Sequence, residues 1–316
     1  MLSTLRLLLP ALLLLLSLQA YGHGSGLCST SKMGARDSHT DAMEAMFPPE
    51  AFVLTASQAS AGANNLKTAI ATNKNSGKQW FVKIASAANC DRMKQDNELV
   101  ARLMDTDLEY LSQNQVSIVF PEIIGLYNIG NDIYKIQSFP LIKEPNLKDL
   151  TLAFLNDAAD NQISLSAFQG ESYQTLVAGH TAFGKAIAAL AYGPQPTERE
   201  NDSFFEKPVY APLADRNPGN QLYNRETGEL WLIDVDSEDS EKITQAGDLV
   251  RLTLLEWRVS KGRVMSCGCE CLTILYQSFR NGFTQYLSKG YSPAEVGDWL
   301  DTQFQDTNPN ACPQKG

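Results

Sequence analysis

The spacing of hydrophobic and polar positions divides the chain into two kinds of structure. Up to about residue 139, short apolar runs rich in β-branched and aromatic side chains predict strands at 52–55, 67–71, 79–85, 116–120 and 133–139. From about residue 176, apolar residues recur every three or four positions and predict helices at 177–192, 249–258, 272–287 and 293–304. One more helix is expected at 91–105. We therefore expect an α+β fold, with a small β-rich part at 47–139 and a mainly helical part at 140–316.

A polar loop followed by a short hairpin stands in the helical part. The loop has the sequence Asp-Arg-Asn-Pro-Gly-Asn, from Asp215 to Asn220. The residues after it predict a strand, a turn and a second strand, at 221–223, 224–228 and 230–233. Antiparallel pairing of these strands would place Asp234 beside Asn220.

These polar residues suit the transfer of a phosphate group. An amide and a carboxylate that converge supply oxygen ligands for magnesium, so Asn220 and Asp234 are the candidate metal ligands. Asp215 is a candidate catalytic residue, because a carboxylate there can orient or deprotonate an attacking hydroxyl. The competing interpretation is a polar hairpin loop in which these residues share no task.

The segment resembles the catalytic and metal-binding loops of the protein-kinase-like superfamily. Its Asp-x-x-Pro-Gly-Asn form, with a later hydrophobic-Ile-Asp, is similar to aminoglycoside phosphotransferases. Its Asp-Arg-x-x-x-Asn form also resembles phosphatidylinositol kinases and, more loosely, HipA-type kinases. Leu213 stands where ordinary eukaryotic protein kinases have His, and Val235-Asp236 replaces their Phe-Gly. These departures indicate an atypical kinase.

The resemblance implies a bilobal kinase-like fold, with a small β-rich N-lobe, a mainly helical C-lobe and ATP between them. Such a fold needs a lysine on a central strand to hold the ATP phosphates, and a carboxylate on the next helix to fix that lysine. Lys83, in the strand at 79–85, is the candidate lysine, with a catalytic and an ATP-binding role. Glu98 is its candidate partner, and Asp96 would replace Glu98 after a small change of helical phase.

Two further segments would contact ATP in such a fold. The loop between the first two strands contains small residues, including Ser60 and Gly62, which let backbone N–H groups approach phosphate. Phe139 and Leu141 lie in the connector between the lobes, where adenine would bind. A flexible hairpin and ordinary core packing are the alternatives for these two segments. The implied cofactors are ATP and Mg²⁺ or Mn²⁺.

Composition and charge exclude some classes of protein. The chain has 316 residues, of which 43% are hydrophobic and 20% charged, so it is typical of a globular protein with a substantial core. Its net charge is −10. This acidity argues against non-specific nucleic-acid binding and gives no overall attraction to anionic membranes.

The first residues predict export. Arg6 precedes an apolar run at 7–16 and small residues follow, which is the pattern of a secretory signal peptide. We expect a signal peptide at 1–22, an N-terminal extension at 23–46, and no transmembrane span after the leader is removed. The alternative is an uncleaved N-terminal anchor.

The cysteines and histidines bear on the compartment and the chemistry. An even number of cysteines outside the leader favours disulfides in an exported protein: Cys28, Cys90, Cys267, Cys269, Cys271 and Cys312. A metal site at Cys267, Cys269 and Cys271 is the alternative. His180, in a predicted helix, is expected on the helix surface or in the core with its polar atoms satisfied.

We therefore expect an exported ATP-dependent kinase that transfers the γ-phosphate to a hydroxyl acceptor. The exported character favours a protein as that acceptor. The alternatives are a phosphoinositide or small-molecule kinase, and a secreted pseudokinase that acts as a binding module. An accidental motif in a structural domain is a further alternative. Because transfer needs ATP, the expected place of action is a secretory compartment or a host cell.

Overall fold

The computed structural model describes most of the chain in separate ranges: 47–56, 67–86, 117–119, 123–129, 132–138, 145–194, 206–213, 216–233, 243–260 and 268–308. These residues belong to two compact units. The first contains the described residues up to 86 together with 123–138, and the second contains 117–119 and those from 145 onward. A sheet forms the first unit and helices dominate the second, so the predicted α+β class is confirmed.

Strands of both units follow the chain order β1 to β8: Phe52–Ala56, Lys67–Asn73, Gln79–Ser86, Ile118–Val119, Ile123–Ile129, Asp132–Ser138, Gln221–Tyr223 and Leu230–Leu232. The first unit has a five-stranded sheet in the order β1-β2-β3-β6-β5. All of its neighbouring strands are antiparallel. β3 is therefore the central strand. The second unit has a three-stranded sheet in the order β4-β8-β7.

Two strands differ from the sequence-based expectation. The strand expected at 116–120 within the β-rich part is the shorter β4, which pairs in parallel with β8 of the second unit. So short a strand carries little local information about its partner, and tertiary packing decides the pairing. β5 was not predicted, although its apolar run precedes Gly130-Asn131, a pair typical of hairpin turns.

An aromatic cluster packs at the start of the first unit. The ring centroids of Phe47 and Phe52 lie 5.3 Å apart, and those of Phe52 and Trp80 lie 5.6 Å apart. Both pairs meet edge to face, an arrangement that adds to the free energy of burying the rings. The cluster joins the residues before β1 to β3.

The second unit contains five helices in its described residues, α1 to α5: Leu147–Asp160, Glu171–Tyr192, Ala246–Ser260, Cys269–Leu287 and Pro293–Thr307. The last four lie where helices were predicted. α1 was missed, although Asn146 caps it by accepting a hydrogen bond from Asp149 N (2.8 Å). Its buried residues Leu147, Leu150 and Phe154 also recur at helical intervals.

α2 is the central helix of the second unit and packs closely against α4. A Cβ added to Gly184 would lie 2.1 Å from the carbonyl oxygen of Phe279, and one added to Gly282 would lie 2.0 Å from that of Thr181. These contacts are too short for any side chain. Phe183 and Phe279 pack edge to face beside them, with ring centroids 5.7 Å apart. Two glycines thus set the distance between the helices.

α4 begins at the cysteine-rich segment. Cys269 and Cys271 lie in its first turn, Cys271 is buried, and both are disulfide-bonded. A sulfur in a disulfide is not a thiolate, so these two residues do not provide the zinc ligands of the alternative interpretation. The other four cysteines lie outside the described residues. No helix in the described ranges is both long enough and apolar enough to cross a membrane.

Candidate functional site

The predicted hairpin is present. Gln221 pairs with Leu232 and Tyr223 with Leu230, in antiparallel register. Asn224 fixes the turn between the strands, because its side-chain oxygen accepts hydrogen bonds from two backbone N–H groups of the turn. Leu222 makes an isolated bridge to Asn146, just before α1. The hairpin is therefore attached to the helical core.

The candidate metal ligands adjoin the open end of the hairpin in the sequence. Ile233 N donates a hydrogen bond to the carbonyl oxygen of Asn220 (3.0 Å). Asn220 directly precedes β7, and Ile233 directly follows β8. Asp234 is the next residue along the chain. The sequence predicted antiparallel pairing that brings the end of the second strand beside Asn220. This pairing is present as far as Ile233.

The loop before the hairpin is held by its own hydrogen bonds. Asn217 caps a short 3-10 turn at Pro218–Asn220, because its Oδ1 accepts from Gly219 N (2.9 Å) and its carbonyl oxygen accepts from Asn220 N (2.8 Å). Arg216 is only 6% exposed, and its Nη1 donates to the carbonyl oxygen of Leu213 (2.6 Å). This hydrogen bond joins Leu213 and Arg216, the described residues that flank 214–215 in the chain.

Lys83 lies in the central strand of the first sheet, as the kinase-like interpretation requires. Its backbone is opposite Thr68 of β2 and Lys135 of β6. The position of its side chain is outside what the structure describes. Apart from Asn220, the remaining proposed site residues lie outside the described residues: Asp215, Asp234, Glu98, Ser60, Gly62, Phe139 and Leu141. Their roles remain predictions.

Gln221 is a polar residue of this region that the sequence analysis overlooked. It is 1% exposed, and neither its side-chain oxygen nor its side-chain nitrogen has a hydrogen-bond partner in the described structure. The same buried face of the hairpin carries Tyr223, Leu230 and Leu232. The sequence did indicate its burial, because side chains alternate between the two faces of a strand and Gln221 falls on the inward face.

His180 differs from its expected environment. It is fully buried in α2, and neither ring nitrogen has a hydrogen-bond partner in the part of the chain that the structure describes. Its ring packs edge to face with that of Trp257 in α3, with centroids 6.0 Å apart. Burial lowers the pKa of His180 from 6.5 to about 3, since the interior disfavours the charged form. His180 is thus a neutral core residue whose ring nitrogens are unsatisfied within the described ranges.

No cluster of three or more His, Cys, Asp or Glu side chains suited to a metal occurs among the described residues. The proposed site differs from such a cluster, because it combines an amide with one carboxylate and would leave the remaining metal positions to phosphate and water. Asn220 is its one ligand within the described ranges.

No protein-family model and no curated protein matches the chain. Among solved structures, the chain is similar to the BubR1 kinase domain, with a TM-score of 0.40 and 12% sequence identity. The similarity covers 83% of this chain and 88% of that domain. A score of this size does not assign a family, so the functional argument depends on the hairpin and its loop.

Proposed function

We propose that the chain is an ATP-dependent phosphotransferase of the kinase-like type. The observation that carries the proposal is the hydrogen bond from Ile233 N to the carbonyl oxygen of Asn220 (3.0 Å). It joins the residue before Asp234 to one of the two candidate metal ligands. An amide and a carboxylate that converge can bind one magnesium ion.

Each proposed residue has one task in this reaction. Asn220 and Asp234 would hold Mg²⁺ or Mn²⁺, which would supply charge neutralisation for the ATP phosphates. By the resemblance, Lys83 would hold the phosphates and Glu98 would fix Lys83. Asp215 orients the acceptor hydroxyl and accepts its proton.

The remaining assignments concern the nucleotide. By the resemblance, the backbone at Ser60 and Gly62 would bind the phosphates, and Phe139 and Leu141 would bind adenine. The bound metal would supply charge neutralisation and phosphate orientation, while the residues of the chain supply its ligands and position the acceptor. These roles come from the resemblance, and the element order of the chain supports them.

The acceptor that we propose is a hydroxyl group on a protein, encountered outside the cytoplasm. The leader-like N-terminus supports export, and the disulfide bonding of Cys269 and Cys271 is consistent with an oxidising compartment. Transfer there needs a supply of ATP, which favours a secretory compartment or a host cell. A phosphoinositide or a small alcohol is the competing acceptor.

Metal-dependent binding of ATP tests the proposal. We expect the purified protein to bind ATP in the presence of Mg²⁺ and to lose that binding in a chelator, because Asn220 and Asp234 would hold the metal that neutralises the phosphates. Asn220→Ala and Asp234→Ala should weaken the metal-dependent binding. Asp236→Ala is the matched control, since it removes a nearby carboxylate with no assigned role. Calorimetry in the two conditions provides the measurement.

Two results would contradict these assignments. Equal ATP affinity with Mg²⁺ and with chelator would remove the metal role. A larger effect of Asp236→Ala than of Asp234→Ala would transfer that role to Asp236.

A further inference from the structure

Gln221 is buried in a place where folding alone does not require an amide. It shares the inward face of the hairpin with Leu230, Leu232 and Tyr223, and it pairs with Leu232 across the two strands. Neither polar atom of its side chain has a partner within the described structure. An amide buried in this way costs free energy relative to an apolar side chain of the same size. Stability alone would therefore favour an apolar residue here.

The position of Gln221 connects it to the candidate metal site. It directly follows Asn220, and its strand partner Leu232 directly precedes Ile233. Ile233 N in turn donates to the carbonyl oxygen of Asn220. Gln221 is thus the buried residue at the end of the hairpin that carries Asn220, and Asp234 follows Ile233 in the sequence.

The chemistry of the amide indicates what it can bind. Its oxygen accepts and its nitrogen donates, so together they provide two of the two to four partners that a buried water needs. A water held there could link the inward face of the hairpin to the backbone of the polar loop. Groups outside the coordination sphere commonly set the orientation of metal ligands in this way.

We propose that Gln221 is a positioning residue for the metal site, and that its buried amide binds an ordered water that fixes the Asn220 end of the hairpin. The inference rests on the proposed function, because it assigns Gln221 to the same metal–nucleotide site. The amide lowers the stability of the protein and raises its affinity for the metal. An apolar substitution should therefore raise the stability of the protein and lower its affinity for the metal.

The test compares Gln221→Met with Leu232→Met in the full chain. Methionine removes the amide at position 221 while keeping a similar volume, and Leu232→Met changes the register partner without changing polarity. ATP binding is titrated with Mg²⁺ alone as the variable, and the denaturation midpoint is measured in parallel without metal. For Gln221→Met we expect about a 10-fold higher Mg²⁺ requirement, as for other residues that support metal ligands, together with a higher denaturation midpoint. Leu232→Met should leave the Mg²⁺ requirement nearly unchanged.

The outcomes separate this inference from the proposed function. If the wild type binds ATP with Mg²⁺ and Gln221→Met has the same Mg²⁺ requirement, the positioning role is wrong and the proposed function stands. A Gln221→Met protein that is less stable than the wild type, or does not fold, would also overturn the inference, because the amide would then serve the fold. A wild type without metal-dependent ATP binding would overturn both.

Discussion

The two sides of α2 show different ways of packing a central helix. Towards α4, Gly184 and Gly282 let backbone meet backbone, and aromatic rings fill the space beside them. Towards α3, the contact includes His180 and Trp257, whose buried ring nitrogens have no hydrogen-bond partners within the described ranges. The first contact depends on steric fit and is insensitive to pH. The second contains a group that can take up a proton, so its contribution to stability depends on pH.

The largest expected loss of stability comes from adding a methyl group where α2 and α4 are in backbone contact. Gly184→Ala places a Cβ against the backbone carbonyl of Phe279, which cannot move without shifting α4. We expect a loss of about 2–3 kcal/mol in the free energy of unfolding, after allowing for the higher helix propensity of alanine. Urea denaturation measures this loss.

Gly179→Ala is the matched control in the same helix. A Cβ there would meet the ends of the Leu147 and Leu150 side chains, which can move. We expect the free energy of unfolding to change by close to zero. Equal losses in the two variants would contradict the idea that backbone contact, rather than helix geometry, requires glycine.

Lowering the pH should weaken the other side of α2. The pKa of His180 is about 3 in the folded protein against 6.5 ordinarily, so the unfolded chain binds the proton first. The contribution of neutral His180 to the free energy of unfolding is fully present above pH 6.5. It is lost progressively as the pH falls towards 3. At about 1.4 kcal/mol per pH unit, the loss is about 2 kcal/mol at pH 5.

The variant His180→Leu isolates this effect from that of other titrating groups. Its free energy of unfolding should fall less steeply than that of the wild type between neutral pH and pH of about 5. Denaturant titrations at the two pH values provide the comparison. Identical slopes for the two proteins would show that His180 does not titrate on unfolding.

A smaller effect is expected where α4 contacts the end of α2. The Tyr286 hydroxyl donates to the carbonyl oxygen of Gly193 in a buried hydrogen bond of 2.6 Å. Tyr286→Phe removes the donor and leaves the carbonyl without it, so we expect a loss of about 1 kcal/mol. Thermal denaturation of the variant checks the value. A loss larger than that of Gly184→Ala would mean that this bond, and not the glycine contact, dominates the α2–α4 interface.

Helices and strands could be predicted from the sequence where the local hydrophobic pattern agrees with the tertiary packing. The hairpin at β7 and β8 was predictable because a polar turn separates two short apolar runs, and the last four helices because their apolar residues recur at helical intervals. The partner of β4 was not predictable, since parallel pairing with β8 joins segments more than a hundred residues apart.

The polar atoms of the core were the harder part to predict. Period two places Gln221 on the inward face, and helical spacing places His180 in an apolar helix, but neither pattern tells whether a polar atom finds a partner. That depends on neighbours from other elements. For the candidate site, the sequence placed Asn220 at the open end of the hairpin correctly, and the roles of the site residues remain predictions.

Phosphate transfer by the wild type and by Asp215→Ala tests the central claim most directly. Both proteins are supplied with labelled ATP and Mg²⁺, and transfer to protein acceptors, phosphoinositides, small alcohols and the chain itself is measured beside ATP affinity. If Asp215 acts on the acceptor hydroxyl in the transition state, the variant should keep its ATP affinity while transfer falls by about 10²–10⁴-fold. An Asp215→Ala protein as active as the wild type, or a wild type that binds ATP and transfers phosphate to none of these acceptors, would contradict the account.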